Sequence, residues 1–289
     1  MKMRLSAMLC LAFPLCAGAI HLFVPGDYTC IRDALDAAQP GDEVVVGDGT
    51  YYEFELPLKP DVAIWSESGD ADQVIIDAQG TSKIFYYHGT YPHLGPHFSI
   101  SGFTLRGGDA DSGLHGGGLD FDPAYQELGV PTLNISNCIF EGNQCIGSGA
   151  GLFINLHDAE YAFVNIDNCR FYSNSSGNVG GGLYLNLRGG RNTSSVENCS
   201  FIGNSSTNAG AAYVKNLLNG RIANCVFTQN TADETAGLLA TFDGGMIPVE
   251  QCIFDNNNGL TAGGAWLDDS FILSNCTFYE NTGGTASAL

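Results

Sequence analysis

The stretch Asn137-Cys138-Ile139-Phe140-Glu141-Gly142-Asn143 returns as Asn168-Cys169-Arg170-Phe171-Tyr172-Ser173-Asn174. It returns four times more, as Asn198-Cys199…Phe201…Asn204, Asn224-Cys225…Phe227…Asn230, Gln251-Cys252…Phe254…Asn257 and Asn275-Cys276…Phe278…Asn281. The cysteines stand 31, 30, 26, 27 and 24 residues apart. A C-x-F-x-x-N unit recurring at that period is the mark of a stacked repeat, in which each unit buries its apolar side against its neighbours.

Side-chain alternation says which kind. Three residues before each Cys stands an apolar residue: Ile135, Ile166, Val196, Ile222, Val249 and Leu273. Cys and Phe, two apart, fall on one side of a strand, and the run predicts that they face inward. Ile139, Arg170, Ser200, Val226, Ile253 and Thr277 then face outward. The Asn of F-x-x-N is expected to close the strand, because Asn tolerates left-handed backbone and its amide can pair from turn to turn.

A second strand follows each unit after small residues. It reads Gly118-Leu119-Asp120-Phe121-Asp122, Gly151-Leu152-Phe153-Ile154-Asn155 and Gly182-Leu183-Tyr184-Leu185-Asn186. Ala211-Ala212-Tyr213-Val214-Lys215, Gly237-Leu238-Leu239-Ala240-Thr241 and Gly264-Ala265-Trp266-Leu267-Asp268 fit the same register. Two or three short strands per repeat with no helix exclude a leucine-rich horseshoe and an α-solenoid. They predict an all-β, single-stranded right-handed parallel β-helix of about nine coils, judged from its repeat period, whose equivalent residues form ladders.

The first half carries a weaker version. Phe103 and Leu105 occupy the Cys and Phe positions, and Val62–Trp65 and Val74–Asp77 read as strands of earlier coils. Ahead of them Ile31, Ala34, Leu35 and Ala38 lie at helical spacing, with Thr29 as the expected N-cap and Pro40-Gly41 as the stop. Such a helix would cover the open end of the stack.

Residues 1–19 read as an export signal: Lys2 and Arg4, an apolar run from Leu5 to Cys16, then Ala17-Gly18-Ala19. That run is shorter than the roughly 20 residues a membrane anchor needs. No later segment is long and apolar enough to span a bilayer, so a secreted or cell-surface chain is expected. The domain plan is a signal peptide at 1–19 and a β-helix at 20–289. Within it lie a cap at 23–52, degenerate coils at 53–116 and regular coils at 117–289. The last repeat breaks off inside its second strand at Thr285-Ala286-Ser287-Ala288-Leu289. This predicts a truncated solenoid, with further coils or an end-to-end contact at that end.

Lys and Arg number 11 against 31 Asp and Glu, a formal charge of −20. Removing the signal leaves −22, since Lys2 and Arg4 go with it. Phosphates would be repelled, which argues against nucleic acid and anionic lipid as partners. Neutral glycans, cations and cationic partners stay compatible.

The repeats and the cap segment Val24-Pro25-Gly26-Asp27-Tyr28…Ala34-Leu35-Asp36-Ala37-Ala38…Gly41-Asp42…Val44-Val45-Val46…Gly49-Thr50-Tyr51 resemble the pectin-lyase-like superfamily of secreted β-helix proteins. The F-x-x-N tetrads and Gly263-Gly264-Ala265 resemble the repeats of polymorphic outer-membrane proteins, which are autotransported adhesins. The resemblance spans nearly all of residues 23–289. It implies the fold, while the same scaffold carries lyases, hydrolases, epimerases and non-enzymatic surface proteins.

Four sets of residues are candidates for chemistry. Of the eight mature cysteines, the six in the ladder read as buried thiols, because parallel neighbours in a packed core suit disulfide torsions poorly, while pairing of Cys30 with Cys145 stays open. No C-x-x-C spacing suggests zinc. His88, His93 and His97 share a Gly/Pro-rich loop, with no carboxylate or cysteine spaced to complete a metal site. Asp109-Ala110-Asp111-Ser112-Gly113 has a D-x-D-x-G look, and Asp120 and Asp122 follow on one outward strand face, about 6.7 Å apart along the strand. Asp109, Asp111, Asp120 and Asp122 are therefore the candidates for Ca²⁺, the alternative being no cofactor. The two strand carboxylates also have a spacing that suits an inverting glycosidase.

The fourth set is a column. The first outward residue of successive second strands is Asp120, Phe153, Tyr184, Tyr213, Leu239 and Trp266. The next is Asp122, Asn155, Asn186, Lys215, Thr241 and Asp268. Rings beside amides and acids could hold a sugar chain, so Phe153, Tyr184, Tyr213, Trp266, Asn155, Asn186, Lys215 and Asp268 are the candidate glycan-binding residues. An aromatic ladder that only stiffens the sheet is the structural alternative. The basic residues of the regular repeats are Arg170, Arg188, Arg191, Lys215 and Arg221; Lys215 faces outward on the second strand with no carboxylate cluster beside it, and the N-T-D and G-H-G signatures of polygalacturonases are missing. The sequence thus favours a non-catalytic protein of adhesin or glycan-binding type over a polysaccharide lyase or glycoside hydrolase.

Overall fold

The computed structural model describes residues 19–89, 95–110, 115–123, 131–156, 161–187, 192–217, 219–241, 247–268 and 271–284. The export signal, Asp111, His93, Arg188, Arg191 and the terminal run 285–289 lie outside the described residues, apart from Ala19.

The described chain winds into a right-handed parallel β-helix. Its strands form a ten-stranded, a nine-stranded, an eight-stranded and a five-stranded sheet, built almost throughout from strands of successive coils that neighbour in space but not in sequence. The ten-stranded sheet runs from His21–Val24 to Phe271–Ser274, and the nine-stranded sheet from Gly49–Tyr51 to Thr277–Tyr279. The eight-stranded sheet consists of Leu56–Pro57, Phe85–Tyr87, Leu119–Phe121, Leu152–Asn155, Leu183–Asn186, Ala212–Lys215, Leu238–Thr241 and Ala265–Leu267. The five-stranded sheet, from Gln144–Cys145 to Asn258–Gly259, supplies a short fourth side that the repeat pattern did not announce.

Burial follows the alternation. Phe140, Phe171, Phe201, Phe227 and Phe254 are fully buried, and their rings stack at 4.6–4.9 Å with interplanar angles of 2–4°. Phe278 continues the stack at 4.6 Å. Stacking at the coil spacing explains why the position repeats as Phe: a flat ring fills the core at every level. The ladder cysteines are unpaired thiols, as are Cys30 and Cys145. Their S–H groups donate to the carbonyl two residues back, as Cys199 does to Glu197 at 3.0 Å.

The Asn of F-x-x-N pairs from turn to turn as expected, but it does not carry the left-handed backbone. Asn143, Asn174, Asn204, Asn230 and Asn257 are fully buried and point inward. Each Nδ2 donates to the next Oδ1, as from Asn174 to Asn204 at 3.0 Å, and also to a strand carbonyl, as to Phe140 O at 2.9 Å. The left-handed backbone falls instead on the residue before it, Ser173, Gln229 and Asn256, and on the Asn or Gln preceding each Cys, such as Asn168 at φ 49° and Asn198 at φ 55°. The corner needs one residue that bends and another that satisfies the buried backbone, and the sequence divides the two tasks.

The end cap is the helix Ile31–Ala37. Thr29 does not cap it. Cys30 is the N-cap and makes no side-chain cap bond; the Glu53 carboxylate accepts the N–H groups of Ile31 at 2.8 Å and Arg32 at 3.0 Å. A carboxylate from a neighbouring coil thus fills the place a local Thr would take.

Candidate functional site

The outer face of the eight-stranded sheet gathers the candidate glycan residues. Strand register pairs Asp120 with Phe153, Phe153 with Tyr184, Tyr184 with Tyr213, Tyr213 with Leu239 and Leu239 with Trp266. Tyr86 precedes Asp120 in the same column. The second column pairs Asn155 with Asn186, Asn186 with Lys215 and Lys215 with Thr241. Glycine permits the close approach at several of the turns before these strands: a Cβ on Gly151 would lie 2.6 Å from Gly182 O.

The rings are ordered against one another. Phe153 and Tyr184 stack at 4.7 Å and 14°, and Tyr184 meets Tyr213 at 5.2 Å and 32°. Trp266 is 44% exposed, and Tyr184, Tyr213 and Leu239 are half-buried. Phe153 is a correction to the picture of a fully exposed row: it is 3% exposed, because His115 lies flat over it at 4.3 Å and 11°. His115 thereby extends the stack by one ring. Its Nδ1 accepts the N–H of Ser148 at 3.0 Å, so the neutral ring carries its proton on Nε2. Burial pushes the His115 pKa below the ordinary imidazole value, against the pull of Asp120 and Asp122.

In the polar column, Asn186 Nδ2 donates to Asn155 Oδ1 at 3.0 Å, and Asn155 Nδ2 donates to Asp122 Oδ1 at 3.1 Å. The Asn186 Oδ1 is buried and receives no hydrogen bond.

Asp120 is the second correction. It leaves the strand on the outer face but is not solvated: it is 2% exposed. Gly116, at φ 62°, brings the preceding turn onto it; a Cβ there would sit 2.6 Å from Asp120 Cα. The Asp120 Oδ2 accepts from the buried Lys83 ammonium and lies 2.8 Å from His88 Nε2. Its Oδ1 is buried without a partner. His88 is half-exposed, with the Tyr86 ring 5.6 Å away. Sequence reasoning missed this Lys83–Asp120–His88 cluster. The signal was present as an acid standing in a column of rings, but Lys83 and His88 come from the previous coil, at no repeating position.

Of the expected calcium set, Asp120 is held by Lys83, Asp109 N–H donates to Ser82 O at 3.1 Å, and Asp111 lies outside the described residues. Among the described residues no group of three or more His, Cys, Asp or Glu is placed to hold a metal. The same Lys83 contact removes Asp120 as one of two free carboxylates for an inverting glycosidase.

A concavity of about 420 Å³ lies elsewhere, on the ten-stranded sheet, lined by Phe163, Asn165, Ser195 and Arg221 among others. Arg221 is already paired there with Glu197 at 2.6 Å, and none of the buried unpartnered side-chain atoms among the described residues belongs to its lining. The eight-stranded face has the greater chemical content.

Comparison with known proteins agrees with the winding. The family described as "Right handed beta helix region" matches residues 125–288. Two solved structures of a pectin methylesterase from Aspergillus niger are similar. The penultimately deglycosylated form has 15% identity and TM-score 0.38, covering 98% of this chain and 89% of that one. The deglycosylated form has 13% identity and TM-score 0.35, covering 93% and 86%. Neither bears on the chemistry of this chain. No curated protein matches it.

Proposed function

We propose that this chain, which belongs to the right-handed β-helix family, is an exported extracellular or cell-surface protein that holds a polysaccharide or cell-surface glycan without cleaving it. The observation that carries the reading is the in-register ring column of Phe153, Tyr184, Tyr213 and Trp266 beside Asn155, Asn186, Lys215 and Asp268. The exposed Trp266 ring can stack on the C–H face of a sugar, the half-buried Tyr184 and Tyr213 border the track with ring edges and hydroxyls, and amides and carboxylates take sugar hydroxyls. A solenoid face presents such groups at about 4.8 Å per coil, a regular track for a regular polymer. The export signal at 1–19 and the likeness of the F-x-x-N tetrads to adhesin repeats support the placement outside the cell. No helix among the described residues is long and apolar enough to cross a membrane.

A second reading, a polysaccharide-active enzyme, has one observation in its favour. Asp120 fixes the His88 ring through Nε2, leaving Nδ1 as the nitrogen able to take a proton. One experiment separates the two. Purified chain is incubated with a panel of soluble polysaccharides, and retention in polysaccharide-containing native gels is scored beside new reducing ends and unsaturated products. Retention without products is the expected result. Products that vanish in His88→Gln would establish the enzyme instead.

A further inference from the structure

We infer that Asp42 is the receptor for the α-ammonium group that appears on Ile20 once residues 1–19 are removed, so that processing itself fastens the first strand of the stack; this rests on the export reading above. Among the described residues Ile20 is the first that the coil holds through both backbone groups. Its N–H donates to Asp42 Oδ1 at 3.2 Å, and its carbonyl accepts the Glu43 N–H at 3.0 Å. Ala19, on the far side of the bond to be cut, is exposed.

Asp42 has the form of a half-filled ion pair. It is 8% exposed and stands in the turn between the helix Ile31–Ala37 and the strand Glu43–Val46. Its Oδ2 accepts the Gln39 N–H at 2.8 Å, and no Lys, Arg or His side chain is paired with it among the described residues. A carboxylate so far out of water gains roughly twice as much from a charged donor as from a neutral one. Hydrolysis supplies that donor in place. One water splits the Ala19–Ile20 bond; its oxygen leaves on Ala19 as a carboxylate, and its two protons turn the Ile20 nitrogen into an ammonium. The nitrogen that already faces Oδ1 gains a charge without having to move. His21–Val24 is the end strand of the ten-stranded sheet, paired on one side only with Glu43–Val46, so the bond sits where the stack would otherwise fray first. In the precursor the same nitrogen is a neutral amide, and the end strand is held less firmly until the signal has gone.

N-terminal sequencing of the exported protein comes first, and Ile20 is the expected start. Peptide-level hydrogen exchange then compares three chains: one beginning at Ile20, one that keeps Ala17-Gly18-Ala19, and one acetylated on the Ile20 nitrogen, which retains an N–H but no charge. Exchange across His21–Val24 and Glu43–Val46 should be slower by about threefold or more in the chain with the free Ile20 ammonium than in the other two. Asp42→Asn should abolish the difference among the three. Equal exchange in the free and acetylated chains, a difference that persists in Asp42→Asn, or a start at another residue would overturn the inference while leaving export in place. A protein that keeps residues 1–19 would overturn both.

Discussion

His88 Nε2 lies 2.8 Å from Asp120 Oδ2, although 32 residues separate them in sequence. The same oxygen accepts from Lys83, and the three groups form a polar knot set into a column of rings. Lys83 and Asp120 are both buried, so each is the other's main compensation for lost hydration. Removing one partner leaves a charge stranded. Asp120→Ala should cost about 3–5 kcal/mol of unfolding free energy, and Lys83→Met a comparable amount. The double variant Lys83→Met/Asp120→Ala should lose less than the sum of the two. Chemical denaturation of the four proteins of the cycle gives the coupling, and additive losses would show that the pair is not the unit of stability.

His115 gives the fold a pH dependence with a definite sign. Its folded pKa lies below the ordinary 6.5 because it is buried. Below 6.5 the unfolded chain therefore binds a proton that the folded chain does not take up until lower pH. This stabilising contribution is complete above 6.5 and is lost as pH falls toward the folded value. The thermal midpoint should drop between pH 7 and pH 5 by more in the native chain than in His115→Asn. The Asn Oδ1 can take the place of Nδ1 in accepting the Ser148 N–H. Equal drops in both proteins would remove His115 as the cause.

The two internal ladders make separable contributions. Phe201 stacks between Phe171 and Phe227 and is fully buried, so Phe201→Ala should cost about 3–5 kcal/mol. Asn204→Leu keeps volume but strands the Asn174 N–H, the Asn174 amide and the Phe171 carbonyl. About 1–3 kcal/mol for each buried group left unpaired makes that change at least as damaging. Urea unfolding of the two variants provides the comparison. A near-neutral Asn204→Leu would mean that the amides do not hold the corners.

All eight cysteines of the described chain are thiols. Burial raises Cys169 well above an ordinary thiol and pushes Cys145 up to about 12, so neither should react while folded. Titration of unreduced protein should give eight thiols after denaturation. In the native state only Cys30 and Cys276, the two less buried, should react promptly. Fewer than eight in denaturant would mean that some have paired.

What the sequence made legible was whatever repeated. C-x-F-x-x-N placed Phe140 through Phe278 in one buried stack, and the small-residue strand put Phe153, Tyr184 and Tyr213 in one column, because parallel coils copy register from turn to turn. What occurs once stayed hidden. Glu53 caps a helix whose first residue is 22 positions away, and Lys83 reaches Asp120 across 37. Such contacts depend on the length of a single coil, which no periodicity encodes. The inward turn of the F-x-x-N amides was hidden differently: Asn suits both a left-handed corner and a buried ladder, and only the neighbouring φ angles assign the two roles.

The central claim is that the eight-stranded face carries the glycan, and paired surface variants test it most directly. Tyr184→Ala/Tyr213→Ala strips two rings from that face, whereas Tyr172→Ala/Tyr279→Ala strips two exposed rings from the nine-stranded sheet. Apparent affinity for the retarding polysaccharide should be measured for both after matched thermal midpoints confirm folding. The account predicts at least a tenfold loss for Tyr184→Ala/Tyr213→Ala and no change for the other pair. Unchanged binding in Tyr184→Ala/Tyr213→Ala, or a loss confined to Tyr172→Ala/Tyr279→Ala, would contradict it.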